Sequence, residues 1–355
     1  MTSRNMKSGL KASKVGAWLS GKGPQADVVI SSRIRLARNV AGVSFLPKAS
    51  VQEQKELVSS INRTLTETLI SNGRGVVHVE DLPQLEAQFL LERHLVSADF
   101  LKGKGPRGFF ATQDETFSLM INEEDHLRLQ VLASGLSLKE AFDRTSEIEG
   151  RLNSALPFAY SERYGFLTAC PTNVGTGMRA SILIHLPGVI LTREIDRVLR
   201  GVLQLGLSVR GTYGEGTETK GHLFQISNQR TLGQSEEEIV ETLTGMAEQL
   251  IRYERDAREY LSTNMAPYIQ DKTFRSLGIL RYARTLTSEE ALNLLSALRL
   301  GLGSLKGLDA AKINKLMILT RPANLQLYFG EELEPEQRDS KRAELVRETL
   351  KNVEA

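Results

Sequence analysis

One cysteine in 355 residues excludes an intramolecular disulfide and points to a reducing compartment. Charge of one sign is also missing. Lysine and arginine number 45 against 43 acids, a net of +2, which argues against a chain-wide nucleic-acid or polyanion binder and makes any anion site local. No apolar run reaches the length of a membrane span. The best one, 182–191, is broken by His185, Pro187 and Gly188, so neither a membrane nor a nucleic acid is expected as a partner. The first 23 residues carry Arg4, Lys7, Lys11, Lys14 and Lys22, no acid and no continuous apolar stretch. They read as a solvated basic arm or surface helix and not as a secretory signal, and a cytoplasmic location is expected. None of the five histidines has HxxxH spacing; with one cysteine, no protein-held metal site is expected. Repeats and low-complexity tracts are lacking.

What is present is ordinary globular composition, 41% hydrophobic and 25% charged, enough chain for two or three domains of about 100–200 residues. Strands are expected over 28–38, 75–79, 109–111, 116–122, 164–168, 179–186, 207–210 and 222–228. Helices are expected over 50–70, 84–100, 137–152, 190–203 and from 235 onward. Ser50 with Glu53, Ser235 with Glu238 and Thr287 with Glu290 have capping-box spacing. Asp309 reads as an N-cap and Pro335 as a first-turn proline. Strand signals stop near residue 260. The expected class is α+β: a basic arm (1–23), a domain built on an antiparallel β-sheet flanked by helices (24–258) and an all-α C-terminal domain (259–355).

Two glycine-rich stretches imitate nucleotide loops. Gly16–Gly23 resembles GxxxxGK[ST], but Gly23 stands where the magnesium-binding hydroxyl belongs and no strand precedes it. Gly175–Ala180 resembles the dinucleotide fingerprint but leads into a strand. The informative anomaly is arginine at strand ends. Arg33 and Arg35 lie two apart and so share one strand face. Arg128 follows the acids Glu123, Glu124 and Asp125, Arg179 opens a strand, and Arg210 closes one and enters Gly211-Thr212-Tyr213-Gly214-Glu215. A single such arginine is usually a salt-bridge partner. Five converging ones suit a triphosphate, because guanidinium stays charged and donates in a fork that matches phosphate oxygens. Carboxylates beside them can orient a cationic acceptor and draw off its proton. Cys170, in a Pro/Gly-rich turn, is a candidate thiolate.

Ser31–Arg35, Asn122–Arg128, Cys170–Arg179 and Arg210–Glu215 together resemble the guanidino phosphotransferases, the family of creatine and arginine kinases. The likeness spans residues 24–255 in the right order. It implies a phosphagen-kinase-like catalytic domain, ATP as phosphoryl donor and Mg2+ carried mainly by nucleotide and water. Nucleotide contacts are implied for Ser31, Ser32, Arg33, Ile34, Arg35, His94, Arg128, Arg179, Ala180, Ser181, Arg210, Gly211, Thr212 and Gly214. Glu124, Glu215 and Cys170 are the implied catalytic residues around the acceptor guanidinium, either glutamate being the base, and Tyr213 stands where acceptor choice is tuned. Small-molecule members carry a helical domain ahead of the first arginine motif; here that motif starts at residue 31 and helices follow the catalytic region instead. This arrangement resembles the branch of the family that phosphorylates arginines in proteins. Arg338, Asp339, Arg342 and Ala343 match that branch's RDxxRA motif, which implies phosphoarginine binding and allosteric control. Implied partners are proteins with accessible arginines, a heat-shock repressor, an activator protein, a Clp-type unfoldase and a second copy of the chain. Two alternatives share these residues: a kinase for free arginine or another small guanidine, and a non-enzymatic phosphoarginine-binding adaptor.

Overall fold

The computed structural model describes residues 6–68, 74–211 and 220–354. Its strands run β1 (Val29–Arg38), β2 (Val77–His78), β3 (Gly108–Ala111), β4 (Phe117–Ile121), β5 (Leu127–Ser134), β6 (Tyr160–Ser161), β7 (Gly165–Phe166), β8 (Met178–His185), β9 (Leu207–Gly211) and β10 (Leu223–Asn228). Eight form one antiparallel sheet in the order β2-β3-β4-β5-β1-β8-β10-β9, and β6 pairs with β7 apart from it. The helices are α1 (Val51–Glu67), α2 (Gln84–Glu92), α3 (Ala98–Lys102), α4 (Leu138–Ala155), α5 (Pro187–Leu191), α6 (Ile195–Gln204), α7 (Glu236–Asn264), α8 (Ala266–Tyr282), α9 (Ser288–Leu300), α10 (Ala310–Leu319), α11 (Pro322–Phe329) and α12 (Pro335–Leu350).

Side chains alternate across the central strands, so the sheet has two chemistries. Ile34, Leu36, Leu129, Val131, Ala180, Ile182 and Ile226 point to one side and pack with Leu138 and Leu152 of α4 and Leu243 and Leu250 of α7. The alternate positions, Arg33 and Arg35 among them, point to the other side. Arg38 falls on the packed side, buried between Glu149 (2.5 Å) and Glu236 (3.2 Å), with its guanidinium 3.5 Å over the Phe166 ring. It is a structural strut.

A second core joins parts far apart in sequence. Leu10, Trp18 and Leu19, Phe89 and Leu90 of α2, and Leu280, Leu295, Leu316 and Val346 of the C-terminal helices are buried in one cluster. One expectation changes in consequence. Residues 6–23 are not a solvated arm: their lysines are exposed, but Ser8 N–H donates to Glu86 at 2.6 Å and Asn314 Nδ2 donates to the Leu19 carbonyl at 3.2 Å. The boundary expected near 258 lies inside α7, and the segments on either side of it share this core.

Local readings differ in three places. The helix expected over 84–100 is two helices, because His94 turns left-handed at φ 58°. The helix expected over 190–203 breaks between α5 and α6, where Arg193 has φ 63°. Strand β5 was not expected at all. The Gly16–Gly23 stretch contains a 3-10 turn, Ala17–Leu19, with no α-helix behind it.

Candidate active site

Register brings the arginines together. Arg35 on β1 lies opposite Arg179 on β8 and Gln130 on β5, and Gln130 is two positions from Arg128. Arg33 lies opposite Ser181, which pairs with Ser227, which pairs with Ser208 on β9, and Ser208 is two positions from Arg210. All five arginines therefore leave the same face of the sheet. Short polar side chains aim them. Arg33 donates to Ser181 Oγ (3.2 Å) and Gln225 Oε1 (2.9 Å). Arg179 donates to Ser227 Oγ (3.1 Å) and Ser208 Oγ (3.2 Å). Arg128 pairs with Glu123 at 2.6 Å.

These are mutually unfavourable neighbours. Burial, then the charges of Arg128, Arg179 and Arg210, push the Arg33 guanidinium down to about 10. Burial and the neighbouring arginines hold Arg35 well below its ordinary value. The Arg35 Nε–H is buried with no acceptor among the described residues. Like charges with an orphaned donor fit an anion that is not a protein side chain. Arg35, Arg128, Arg179 and Arg210 open into a cleft of about 620 Å³ that is also lined by Glu123, Glu124 and Cys170. A nucleoside triphosphate fits this donor set. Among the described residues there is no group of three or more metal-ligating side chains.

A smaller cavity of about 30 Å³ adjoins the arginine face, bounded by Ser31, Arg33, His94, Ser181 and Trp18. Trp18 meets the His94 ring edge-on at 6.2 Å; the sequence reading had given it no role. Burial, then Arg33 and Arg321, push His94 down to about 3, so its ring is neutral at physiological pH. Three residues expected at the nucleotide lie elsewhere. Ile34 and Ala180 are in the core on the opposite face. Ser32, also on that face and fully buried, donates to the Gly135 carbonyl (2.8 Å) and accepts from Ser137 N–H (2.9 Å). Strand alternation excludes these three side chains from the cleft. Gly211 ends β9; Thr212, Tyr213, Gly214 and Glu215 lie outside the described residues.

The three consecutive acids have three different fates. Burial opposes ionisation of Glu123, but Arg128 and the Ser97 hydroxyl outweigh it and hold the carboxyl below its usual value. Asp125 is buried, accepting from Asn39 Nδ2 and Ala169 N–H at 2.6 Å each; it ties the Cys170 turn to the sheet, and burial raises it. Glu124 alone is exposed, with one contact from Asn173 Nδ2 at 3.2 Å. Cys170 is half-buried, its Sγ 3.0 Å from Thr172 Oγ1. An exposed carboxylate and a thiol thus line the same cleft as the arginines.

The C-terminal motif divides too. Arg342 is buried and donates to the carbonyls of Thr320 (2.7 Å) and Leu286 (2.6 Å) and to Asp339. Ala343 is fully buried. Arg338, half-buried, makes a weak 3.4 Å contact to the Leu333 carbonyl.

Comparison with known proteins identifies the family. Residues 56–257 match the model of the ATP:guanido phosphotransferase C-terminal catalytic domain, and residues 266–355 match that of the protein-arginine kinase McsB C-terminal domain. The chain is 45% identical over 345 residues to a protein-arginine kinase of Geobacillus kaustophilus, covering 96% of this chain and 95% of that one. It is 45% identical over 338 residues to one from Moorella thermoacetica, covering 94% and 97%. Among solved structures, lombricine kinase superposes with a TM-score of 0.56 at 26% identity, covering 69% of this chain and 70% of that one. The substrate-free duplicated taurocyamine kinase of Schistosoma mansoni gives 0.55 at 27% identity, covering 67% of this chain and 35% of that one. The chain belongs to the ATP:guanido phosphotransferase family and, within it, to the protein-arginine kinases.

Proposed function

We propose that the protein transfers the γ-phosphoryl group of ATP to a guanidinium nitrogen of arginine side chains in proteins. The observation that carries this reading is one cleft lined by Arg35, Arg128, Arg179 and Arg210 together with Glu124 and Cys170. Arg33, Arg35, Arg128, Arg179 and Arg210 hold the phosphates and neutralise the charge that develops on the transferred group. In phosphoryl transfer, positioning and electrostatics supply most of the catalysis. Magnesium carried by the nucleotide would screen the phosphate oxygens. Glu124 orients the acceptor guanidinium, with Glu215 as the second carboxylate and Cys170 beside them. The bond from the γ-phosphorus to the β,γ-bridging oxygen breaks, a P–N bond forms, the guanidinium proton passes to one of the glutamates, and ADP leaves.

Arg338 is the residue of the C-terminal motif with a guanidinium available to a phosphoarginine; Arg342 and Asp339 fix the helix that presents it. Protein substrates, a heat-shock repressor, an activator, a Clp-type unfoldase and a second copy of the chain are the partners that go with this reading, in the cytoplasm. No helix among the described residues is long and apolar enough to cross a membrane. The test is ADP release from Mg–ATP, with an arginine-bearing protein or free L-arginine as acceptor. Turnover with protein and not with free arginine supports the reading. Turnover with free arginine alone assigns a small-guanidine kinase, and none with either assigns a binding protein.

A further inference from the structure

We propose that Asn324, on the C-terminal helix α11, is a positioning residue for nucleotide binding: it locks the end of α2 so that His94 stands beside Arg33. The inference rests on the reading of His94 as a nucleotide-side residue. The end of α2 closes as a Schellman motif, His94 N–H donating to the Leu91 carbonyl and Leu95 N–H to the Leu90 carbonyl, each at 3.0 Å. His94 occupies the left-handed position that glycine normally takes. A histidine is retained there only where its surroundings over-determine it.

Those surroundings come from the C-terminal helices. The buried Glu92 carboxylate accepts from Ala323 N–H (3.0 Å), Asn324 N–H (3.0 Å) and Asn324 Nδ2 (2.9 Å), capping the start of α11. The buried Arg93 donates to Asn324 Oδ1 (2.8 Å), to the Ala12 carbonyl (3.1 Å) and to Glu115. The Asn324 amide therefore bridges two consecutive residues, donating to Glu92 and accepting from Arg93, immediately before His94. Neither an aspartate nor an apolar residue can do both. From the far side the His94 carbonyl accepts from Gln130 Nε2 at 2.8 Å, and Gln130 lies opposite Arg35. The peptide at His94 is thus held between α11 and the arginine face.

The experiment uses the full chain and varies ATP and protein acceptor separately. Asn324→Ala is expected to raise KM for ATP about tenfold and leave KM for the acceptor within about twofold. His94→Ala should act in the same direction, and the double variant should be no weaker in ATP than His94→Ala alone. Additive effects, or a fall in kcat and thermal stability with KM for ATP unchanged, would overturn the proposal. An unchanged KM for ATP in His94→Ala would instead remove the nucleotide role of His94, and the proposal with it. Asn324→Ser keeps a hydroxyl in place and should raise KM for ATP about threefold. If the alanine variant does not fold, a folded serine variant with wild-type KM for ATP overturns the proposal by itself.

Discussion

Arg35 is poorly placed for stability and well placed for a phosphate. It is crowded by Arg33, Arg128 and Arg179 and leaves a buried N–H without an acceptor among the described residues. Arg35→Met should therefore keep or raise the melting temperature while lowering kcat by about 10²–10³-fold, the usual cost of removing one transition-state donor. Thermal unfolding with and without Mg–ATP checks this: nucleotide should stabilise the wild type and have little effect on the variant. The sequence showed this face through the two-residue spacing of Arg33 and Arg35. It could not show that Arg38 turns the other way to pair with Glu149 and Glu236, because those partners are 111 and 198 residues away. Nor could it rank Glu123, Glu124 and Asp125, because their roles depend on which of them meets Arg128, solvent or the Cys170 turn.

At the scale of elements, end signals were more legible than interiors. Ser50 and Ser235 each close a capping box with the glutamate three residues on, and Asp309 caps α10 through Lys312 N–H. Thr287 caps α9 by accepting from Glu290 N–H. Ser235→Ala should cost about 1 kcal/mol of unfolding free energy, measured by urea denaturation, with no change in KM for ATP, since it frees one exposed helix end. Strand β5 alternated visibly, Leu127, Leu129 and Val131 against Arg128 and Gln130, but the acidic run before it hid its start. The break in 84–100 had no glycine or proline to announce it, because a histidine sits in the glycine position. Tertiary contacts from α11 decide that break, and no local pattern carries them.

For the whole molecule, the C-terminal helices share one core with the segment around Trp18 and with α2. Leu280, Leu295, Leu316 and Val346 bury the same cluster as Trp18, Phe89 and Leu90. A chain ending at residue 265 should therefore lose cooperative unfolding and nucleotide binding together; circular dichroism melts and ADP titration would show it. Buried and half-buried histidines predict acid sensitivity. Burial, more than Arg33 or Lys272, depresses His94 to about 3 and His222 to about 4 from an ordinary 6.5, and it lowers His185 well below that value. In each case the unfolded chain takes a proton that the folded chain refuses. Their contribution is complete above pH 6.5 and is lost as pH falls towards 4, at up to about 1.4 kcal/mol per pH unit for each group. Urea midpoints should fall over that window, and His222→Asn should flatten the fall.

The most direct measurement of the central claim is phosphorus NMR of an arginine-bearing protein after incubation with this enzyme and Mg–ATP, repeated after brief acid treatment. An acid-labile P–N resonance that stays with the protein and disappears in Arg179→Ala is the predicted result. An acid-stable phosphoester resonance on the protein, or a P–N resonance only on free arginine, would contradict the account.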